Sequence, residues 1–372
     1  MTEHLHIICL AQPYPPTYGG AIDMFYKIKA LHGAGIKLIL HVFLYRDYKE
    51  EPELEKLASK VFYYRRDTGA KNVFSSIPYI VKSRINENLL NNLCRDKYPI
   101  LFEGLHTCGI LSHPQLRDRF KMVRMHNIEH DYYKLLSSYH PLAWASLFYR
   151  LEARKLKKFE RILNYANRIL AISKADVAQL CRRFPDKDVR LLNCFFDDTI
   201  NDCDIKTRPY LLYHGNLSIS ENIKVAEYLL DEIAPNINHR LIIAGRNPTR
   251  SICQKAAQYD NVEVIANPVQ PRMEQLMTEA QVNLAITFQP TGIKLKLLNG
   301  LYKGHGYCIA NREMLHGNSL GTLCIEANSK AEILSAIDKA MKSTASSDVI
   351  AARRKTIADL GYNSITNIID EP

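Results

Sequence analysis

Four short stretches of this chain combine glycines, prolines and cations in ways suited to holding an anion. In TGIKLKLLNGLYKG, residues 291–304, Gly292 opens an apolar helix-forming run that carries Lys294 and Lys296 in its first turn. Ammonium groups at that end oppose the helix dipole, so their presence points to a bound anion that offsets the mismatch. Side chains two apart on a helix diverge, and Lys296 is the one expected to face the ligand. In AGRNPTR, Gly245 and Arg246 follow an apolar strand-like run; a guanidinium there can grip phosphate oxygens in a bidentate way. QPYPPTYGGAIDMFY places Gly19 and Gly20 immediately before a helix, where main-chain N–H groups can approach an anion closely. YHGNLSISEN repeats the arrangement with Gly215 and Asn216, and with Ser218 or Ser220 as the helix cap. Neither GxxxxGK[ST] nor GxGxxG occurs, so phosphate handling by a P-loop or a dinucleotide fingerprint is excluded.

A second group of residues is rich in histidine and carboxylate. ILFEGLHTCG sets Glu103 and His106 just past a predicted strand. KMVRMHNIEHDYYKLL contains His126, Glu129 and His130 in the HxxEH spacing of inverted zincins. A strand running straight into the motif puts it at a sheet edge, and the preferred reading is a polar wall. In that reading Arg124, His126, Asn127 and Glu129 contact hydroxyls of an acceptor or donor, a zinc protease being the remote alternative. A buried structural network around the same residues competes with it. Further on, FYRLEARKLKKFERILNYANR reads as a long basic helix. A solvated face laced with Glu152 and Glu160 is the default there, with contact to anionic lipid as the alternative. No stacking platform for nucleic acid is organised in it.

These residues need a scaffold, and the rest of the sequence supplies one. HIICLA, IKLILHVF, KVFYY, ILFEG, KMVRM and RILAIS read as strands separated by helical patterns. One such helix is AIDMFYKIKALHGAG, with Ile22, Phe25, Ile28 and Leu31 at helical spacing and Gly33 and Gly35 as its stop. The alternation weakens over a polar stretch at about 183–207. It restarts with YLLYHGN, RLIIAG, VEVIAN, VNLAITF, YCIAN and TLCIEA. Repeated βα alternation means parallel sheets, and two series predict two α/β domains whose ligand-binding sheet edges meet across a cleft. The chain has 372 residues, 47% of them hydrophobic, enough for two cores. A formal charge of +10 suits an acidic partner. Nine cysteines without a CxxC read as free thiols in a reducing compartment. No apolar run is long enough for a membrane span, so a cytoplasmic protein is expected, with peripheral contact at the inner face of an anionic membrane.

The order PYPPTYGGA, ISKAD, YHGNLSISEN, IIAGRNP and TGIKLKLLNGLYKG resembles that of GT-B glycosyltransferases, in particular the retaining family 4 group, over nearly the whole chain. The resemblance implies two Rossmann-like domains: an acceptor-side domain at 1–185, a linker at 186–207, and a nucleotide-sugar domain at 208–355. A final helix at 356–372 would cross back to the first. It implies transfer of a sugar from a nucleotide-diphosphate sugar to a glycan or glycolipid hydroxyl, without metal or other cofactor and without nucleic acid. Gly19, Gly20, Gly215, Asn216, Arg246, Thr291, Gly292, Lys296 and Asn299 would bind the donor. Arg246 and Lys296 would neutralise the departing diphosphate, His106 would touch the donor sugar, and Glu103 would serve an acceptor hydroxyl or cap a helix. The family's paired glutamates fall here at Thr291 and Asn299, which marks a divergent branch. A nucleotide-sugar-binding protein without transfer and a nucleotide-sugar epimerase are the other functions this scaffold accommodates.

Overall fold

The computed structural model describes residues 3–45, 50–139, 142–200, 206–290 and 294–370. It contains two units, Met1–Phe195 with Gly361–Pro372, and Phe196–Leu360. Each is built on one parallel sheet, as the alternation of apolar runs and helical patterns requires.

The first unit has strands β1 (His4–Cys9), β2 (Lys37–Leu44), β3 (Lys60–Arg65), β4 (Ile100–Glu103), β5 (Lys121–Met125), β6 (Arg168–Ala171) and β7 (Asp188–Leu191). They form a seven-stranded sheet in the order β3-β2-β1-β4-β5-β6-β7. Its centre is sealed on both faces. Ile8, Phe102, Val123 and Ile169 lie in one apolar cluster, and Ile7, Leu101, Met122 and Leu170 in the other. The strand order reverses between β1 and β4, so their carboxyl ends flank a switch point, the usual ligand site of such sheets.

The stretch expected as a linker from 186 onward instead begins with β7, the edge strand of this sheet. Helix Gly19–Gly33 also departs from the expected stripe. Asp23, Met24, Lys27, Ile28 and Leu31 are buried in it, whereas Ile22 and Phe25 are only partly so. Two charged side chains therefore enter the core, and the network described below holds them there.

The second unit has β8 (Arg208–Asn216), β9 (Arg240–Arg246), β10 (Val262–Ala266), β11 (Ala280–Ala285), β12 (Tyr307–Ala310) and β13 (Ile325–Glu326). The six-stranded order is β10-β9-β8-β11-β12-β13, with the switch point between β8 and β11. After Leu360 the chain rejoins the first unit. Gly361 takes a positive φ of 78°, and Ile365, Ile368 and Ile369 pack with Leu5, Leu192 and Phe195. Among the described residues no helix is long and apolar enough to cross a membrane.

Candidate functional site

In the first unit, the charged residues singled out after β4 and β5 belong mostly to one buried network. Lys27 Nζ lies 3.1 Å from Asp23 Oδ2 and 2.9 Å from Glu103 Oε1. The Arg124 guanidinium reaches Asp23 Oδ1 at 3.1 Å and donates to the carbonyls of Leu192 and Asn193. The Phe195 main-chain N–H donates to Asp23 Oδ1 at 2.7 Å. His126 Nε2 is 2.8 Å from Glu103 Oε2. Burial alone would raise the Asp23 carboxyl, yet Arg124, Lys27 and His126 together hold it below its ordinary value. Glu103 is likewise held low, the Lys27 ammonium and His126 outweighing its desolvation.

Arg124 and Glu103 are fully buried and engaged by these partners. Their burial agrees with the buried structural network that competes with an acceptor-contacting role. His126 is buried and engaged in the same way. Asp23, Glu103 and His126 come close enough together to suggest a metal triad, but the Lys27 ammonium already lies between the two carboxylates. The zincin spacing dissolves as well. His126 precedes helix Glu129–Tyr139 and joins Glu103, while His130 turns to Glu160 at 3.3 Å and Asp131 at 3.4 Å. The two imidazoles therefore serve different carboxylates and do not converge on one point.

Several buried polar atoms here lack a hydrogen-bond partner among the described residues, Glu103 Oε1, Arg124 Nε, His126 Nδ1 and Asn127 Oδ1 among them. Gln12 follows β1, His106 follows β4 and Glu129 follows β5. Both polar atoms of the Gln12 amide, His106 Nδ1 and Glu129 Oε1 are shielded from solvent without a hydrogen-bond partner among the described residues. His106 Nδ1 lies 3.9 Å from Glu129 Oε1. Burial pushes the Glu129 carboxyl up to about 8, against a hydrogen bond from Asn127 that favours the charged form. At neutral pH it is mostly a neutral acid able to donate a proton. Burial, and then Arg84 and His126, hold the His106 imidazole neutral. Gly104 makes the turn into this loop at a φ of 71°, and a Cβ there would lie 2.9 Å from His106 Nδ1. Gly19 and Gly20 open helix Gly19–Gly33 one turn before Asp23, after an extended Tyr18 that offers no side-chain cap.

In the second unit, Gly215, Asn216 and Gly245 of the expected cradle lie at the ends of β8 and β9. Gly215 and Gly245 are paired in register; a Cβ on Gly245 would lie 1.7 Å from the Gly215 carbonyl oxygen, so only glycine fits. Asn216 Oδ1 accepts from the Ser218 N–H at 3.1 Å and from its hydroxyl at 2.7 Å. Ser218 thus closes an Asx turn and does not cap helix Ser220–Tyr228, whose N-cap is Ile219 with no side-chain bond. Asn222 Nδ2 donates to the Asn216 carbonyl at 3.0 Å, which presents Asn222 Oδ1 to Lys296 Nζ at 3.3 Å.

Lys296 stands in the first turn of helix Leu295–Tyr302 with its ammonium 3.9 Å from the centre of the Tyr213 ring. Lys294 instead donates to the Gln289 carbonyl at 2.8 Å, in keeping with the expected divergence of the two lysines. Desolvation pulls the Lys296 ammonium down to about 7, only partly offset by Glu221. The ring face and the amide are poor substitutes for a full counter-charge. Lys296 also helps burial drive neighbouring His214 down to about 3. Arg246, at the end of β9, is exposed and makes no ion pair with any described residue. Asn299 is partly buried on the same helix, whereas Thr291 and Gly292 lie outside the described residues. Asp23, Lys27 and Gln12 were not anticipated as site residues.

No family model matches the chain. It is 25% identical over 316 residues, 78% of each chain, to an uncharacterized 44.6 kDa protein in the cps region of Klebsiella pneumoniae. Among solved structures it resembles a sucrose-phosphate synthase from Thermosynechococcus elongatus, with a TM-score of 0.62 at 15% identity over 97% of this chain and 93% of that one. An E. coli structure described as trehalose-6-phosphate bound with UDP-2-fluoro glucose aligns with a TM-score of 0.65 at 10% identity, covering 98% and 97%. A UDP-forming α,α-trehalose-phosphate synthase from Burkholderia xenovorans, in complex with glucose-6-phosphate, gives 0.63 at 11%, covering 98% of each chain. These likenesses show the fold: two parallel-sheet, Rossmann-like domains of the GT-B glycosyltransferase kind.

Proposed function

We propose that the chain is a retaining glycosyltransferase that moves a sugar from a nucleotide-diphosphate sugar to a hydroxyl of a glycan or lipid-linked glycan. The work served would be cell-surface polysaccharide or glycoconjugate synthesis. In the step, the bond from the anomeric carbon to the diphosphate breaks and a bond to the acceptor oxygen forms. The acceptor proton passes to a phosphate oxygen of the leaving nucleoside diphosphate. No protein carboxylate is needed as base, and the order of the family 4 motifs supports this reading.

The observation that carries it is Lys296. A partly buried ammonium that rests on a ring and an amide, with its proton affinity depressed to about 7, is a cation short of an anion. A diphosphate at the switch point would supply it, with Arg246 as the second cation. Charge developing on the leaving group is then neutralised in a preorganised site, an effect worth several kcal/mol of barrier. Gly215 and Asn216 line the turn beneath, Gly19 and Gly20 offer helix N–H groups, and Asn299 offers an amide to the nucleotide ribose in place of a glutamate. His106 would contact the donor sugar, with Glu129 beside it and the unpartnered Gln12 amide as a further group able to bond hydroxyls.

The test is a panel of UDP-, GDP- and ADP-sugars, read by thermal shift and by released nucleotide with and without acceptor glycans. One donor is expected to stabilise the protein. Lys296→Ala should weaken that donor about 10-fold or more, the worth of a charged hydrogen bond. Affinity should also decline as pH rises above 7, because the unliganded ammonium loses its proton there. Unchanged donor affinity in the variant would remove the assignment. Donor turnover without any acceptor, giving an isomerised nucleotide sugar, would replace transfer by epimerisation.

A further inference from the structure

Helix Ala143–Phe159 runs along the surface of the first unit and presents an unusual outer face. Trp144 is 72% exposed, Leu147 54% and Leu151 45%, and the preceding Leu142 is 50% exposed. At about 100° per residue, Trp144, Leu147, Leu151, Arg154 and Lys158 fall within an arc of roughly 80°. One stripe is thus apolar in its first half and cationic in its second. Arg150, Lys157 and Arg161 flank it, all exposed. Beyond the apolar half, Arg154, Lys157, Lys158 and Arg161 line a shallow groove that continues to Arg183 and Phe184.

The two acids that would make this a salt-laced, solvated face are turned inward. Glu152 is buried, accepting from the Tyr79 N–H at 2.7 Å and pairing with Lys155 at 2.8 Å. Glu160 is buried between His130 and Arg183. Arg150, Arg154, Lys157, Lys158 and Arg161 make no ion pair with any described residue. A protein that stays in water gains nothing from a bare Trp-Leu-Leu stripe. Beside five uncompensated cations the stripe acquires a use: apolar side chains enter the headgroup–acyl boundary while lysine and arginine engage anionic headgroups.

We propose that this face docks the protein on an anionic lipid bilayer. Trp144, Leu147 and Leu151 insert, and the basic groove at Arg154, Lys157, Lys158 and Arg161 takes the phosphates of the headgroups. The inference stands apart from the transferase reading, since neither the surface nor its test involves a donor.

Trp144 is the only tryptophan of the chain, so its emission reports this face alone. The full chain is titrated with vesicles of phosphatidylcholine and phosphatidylglycerol in equal parts, and with vesicles of phosphatidylcholine only. Binding is read by the emission maximum and by co-sedimentation. The expected result is a blue shift and sedimentation with the anionic vesicles, weakened by salt. Lys157→Ala with Lys158→Ala should lower the partition coefficient about 30-fold, at ~1 kcal/mol per basic residue. Leu147→Ser with Leu151→Ser should lower it at least ~10-fold through lost apolar burial. All four positions are exposed, and unchanged circular dichroism and melting identify folded variants. No blue shift with anionic vesicles, equal binding to phosphatidylcholine alone, or full binding by either folded double variant overturns the proposal. So does tight capture of a single-stranded RNA by a protein whose Trp144 ignores vesicles, which would assign the cations to nucleic acid.

Discussion

Replacing Lys27 by methionine tests the buried network at its centre. The substitution keeps length and apolar volume and deletes only the ammonium. Asp23, Lys27, Glu103 and Arg124 are all fully buried, with two charges of each sign. Without Lys27, Asp23 keeps a guanidinium that already serves two carbonyls, and Glu103 keeps only His126. Removing one member of such a set costs about 3–5 kcal/mol, because its partner's charge is left uncompensated in a region of low polarity. At roughly 2–4 °C per kcal/mol for a domain of this size, the melting temperature of the first unit should fall by about 6–20 °C. The assay is thermal unfolding of the full chain followed by circular dichroism. Two controls make the argument specific to charge. Lys27→Met with Glu103→Gln restores the balance and should recover more than half of the loss. The deficit of the single variant relative to the parent should also narrow at pH 5, where an unpaired Glu103 can take up a proton. If the single variant melts within about 2 °C of the parent, or the double variant melts below the single one, the network does not hold the unit together as described.

Mild acid should destabilise the protein through its buried histidines. His41 is held well below its ordinary pKa by burial, and then by His6 and Arg119; burial likewise lowers His6 despite Asp96. A depressed histidine contributes stability that is present above the unfolded value near 6.5 and lost as pH falls below it. The melting temperature should therefore drop between pH 6.5 and 5, and His41→Gln should flatten the slope; a flat profile for the parent would contradict the buried neutral imidazoles. Gly245→Ala should cost more than the ~1–3 kcal/mol of ordinary overpacking, because the added methyl meets a backbone carbonyl that has no rotamer to retreat into. A soluble Gly245→Ala protein with the parent's urea midpoint would refute that close approach.

Parallel strands buried on both faces announce themselves as apolar runs, and β5 lies where KMVRM predicts it, Arg124 included. The edge strand β7 was hidden by the same logic. Its four residues, DVRL, are all half-buried and look like turn-forming sequence. Asp23 and Lys27 were illegible for another reason. A charged pair four apart on a helix is ordinarily placed in water, and the partners that draw this pair inward lie 101 and 76 residues away. Nothing local records that. The inward turn of Glu152 and Glu160 was lost in the same way, since their partners come from Tyr79 and Arg183. The divergence of Lys294 and Lys296 was legible from helix geometry alone, whereas the Tyr213 ring beneath Lys296 required coordinates.

The first unit is finished by the last residues of the chain. Arg168 is fully buried, and its guanidinium donates to the carbonyls of Asn367 at 3.0 Å and Asp370 at 2.9 Å, while Asn367 Nδ2 donates to the Leu191 carbonyl at 2.6 Å. During synthesis those acceptors leave the ribosome only after the whole second unit has been made. A nascent chain stopped at Phe195 leaves Arg168 with Asp188 but with two bonds unmade, and leaves the Leu5–Phe195 face partly uncovered. The front half thus reaches its full set of contacts only when the back half has been made.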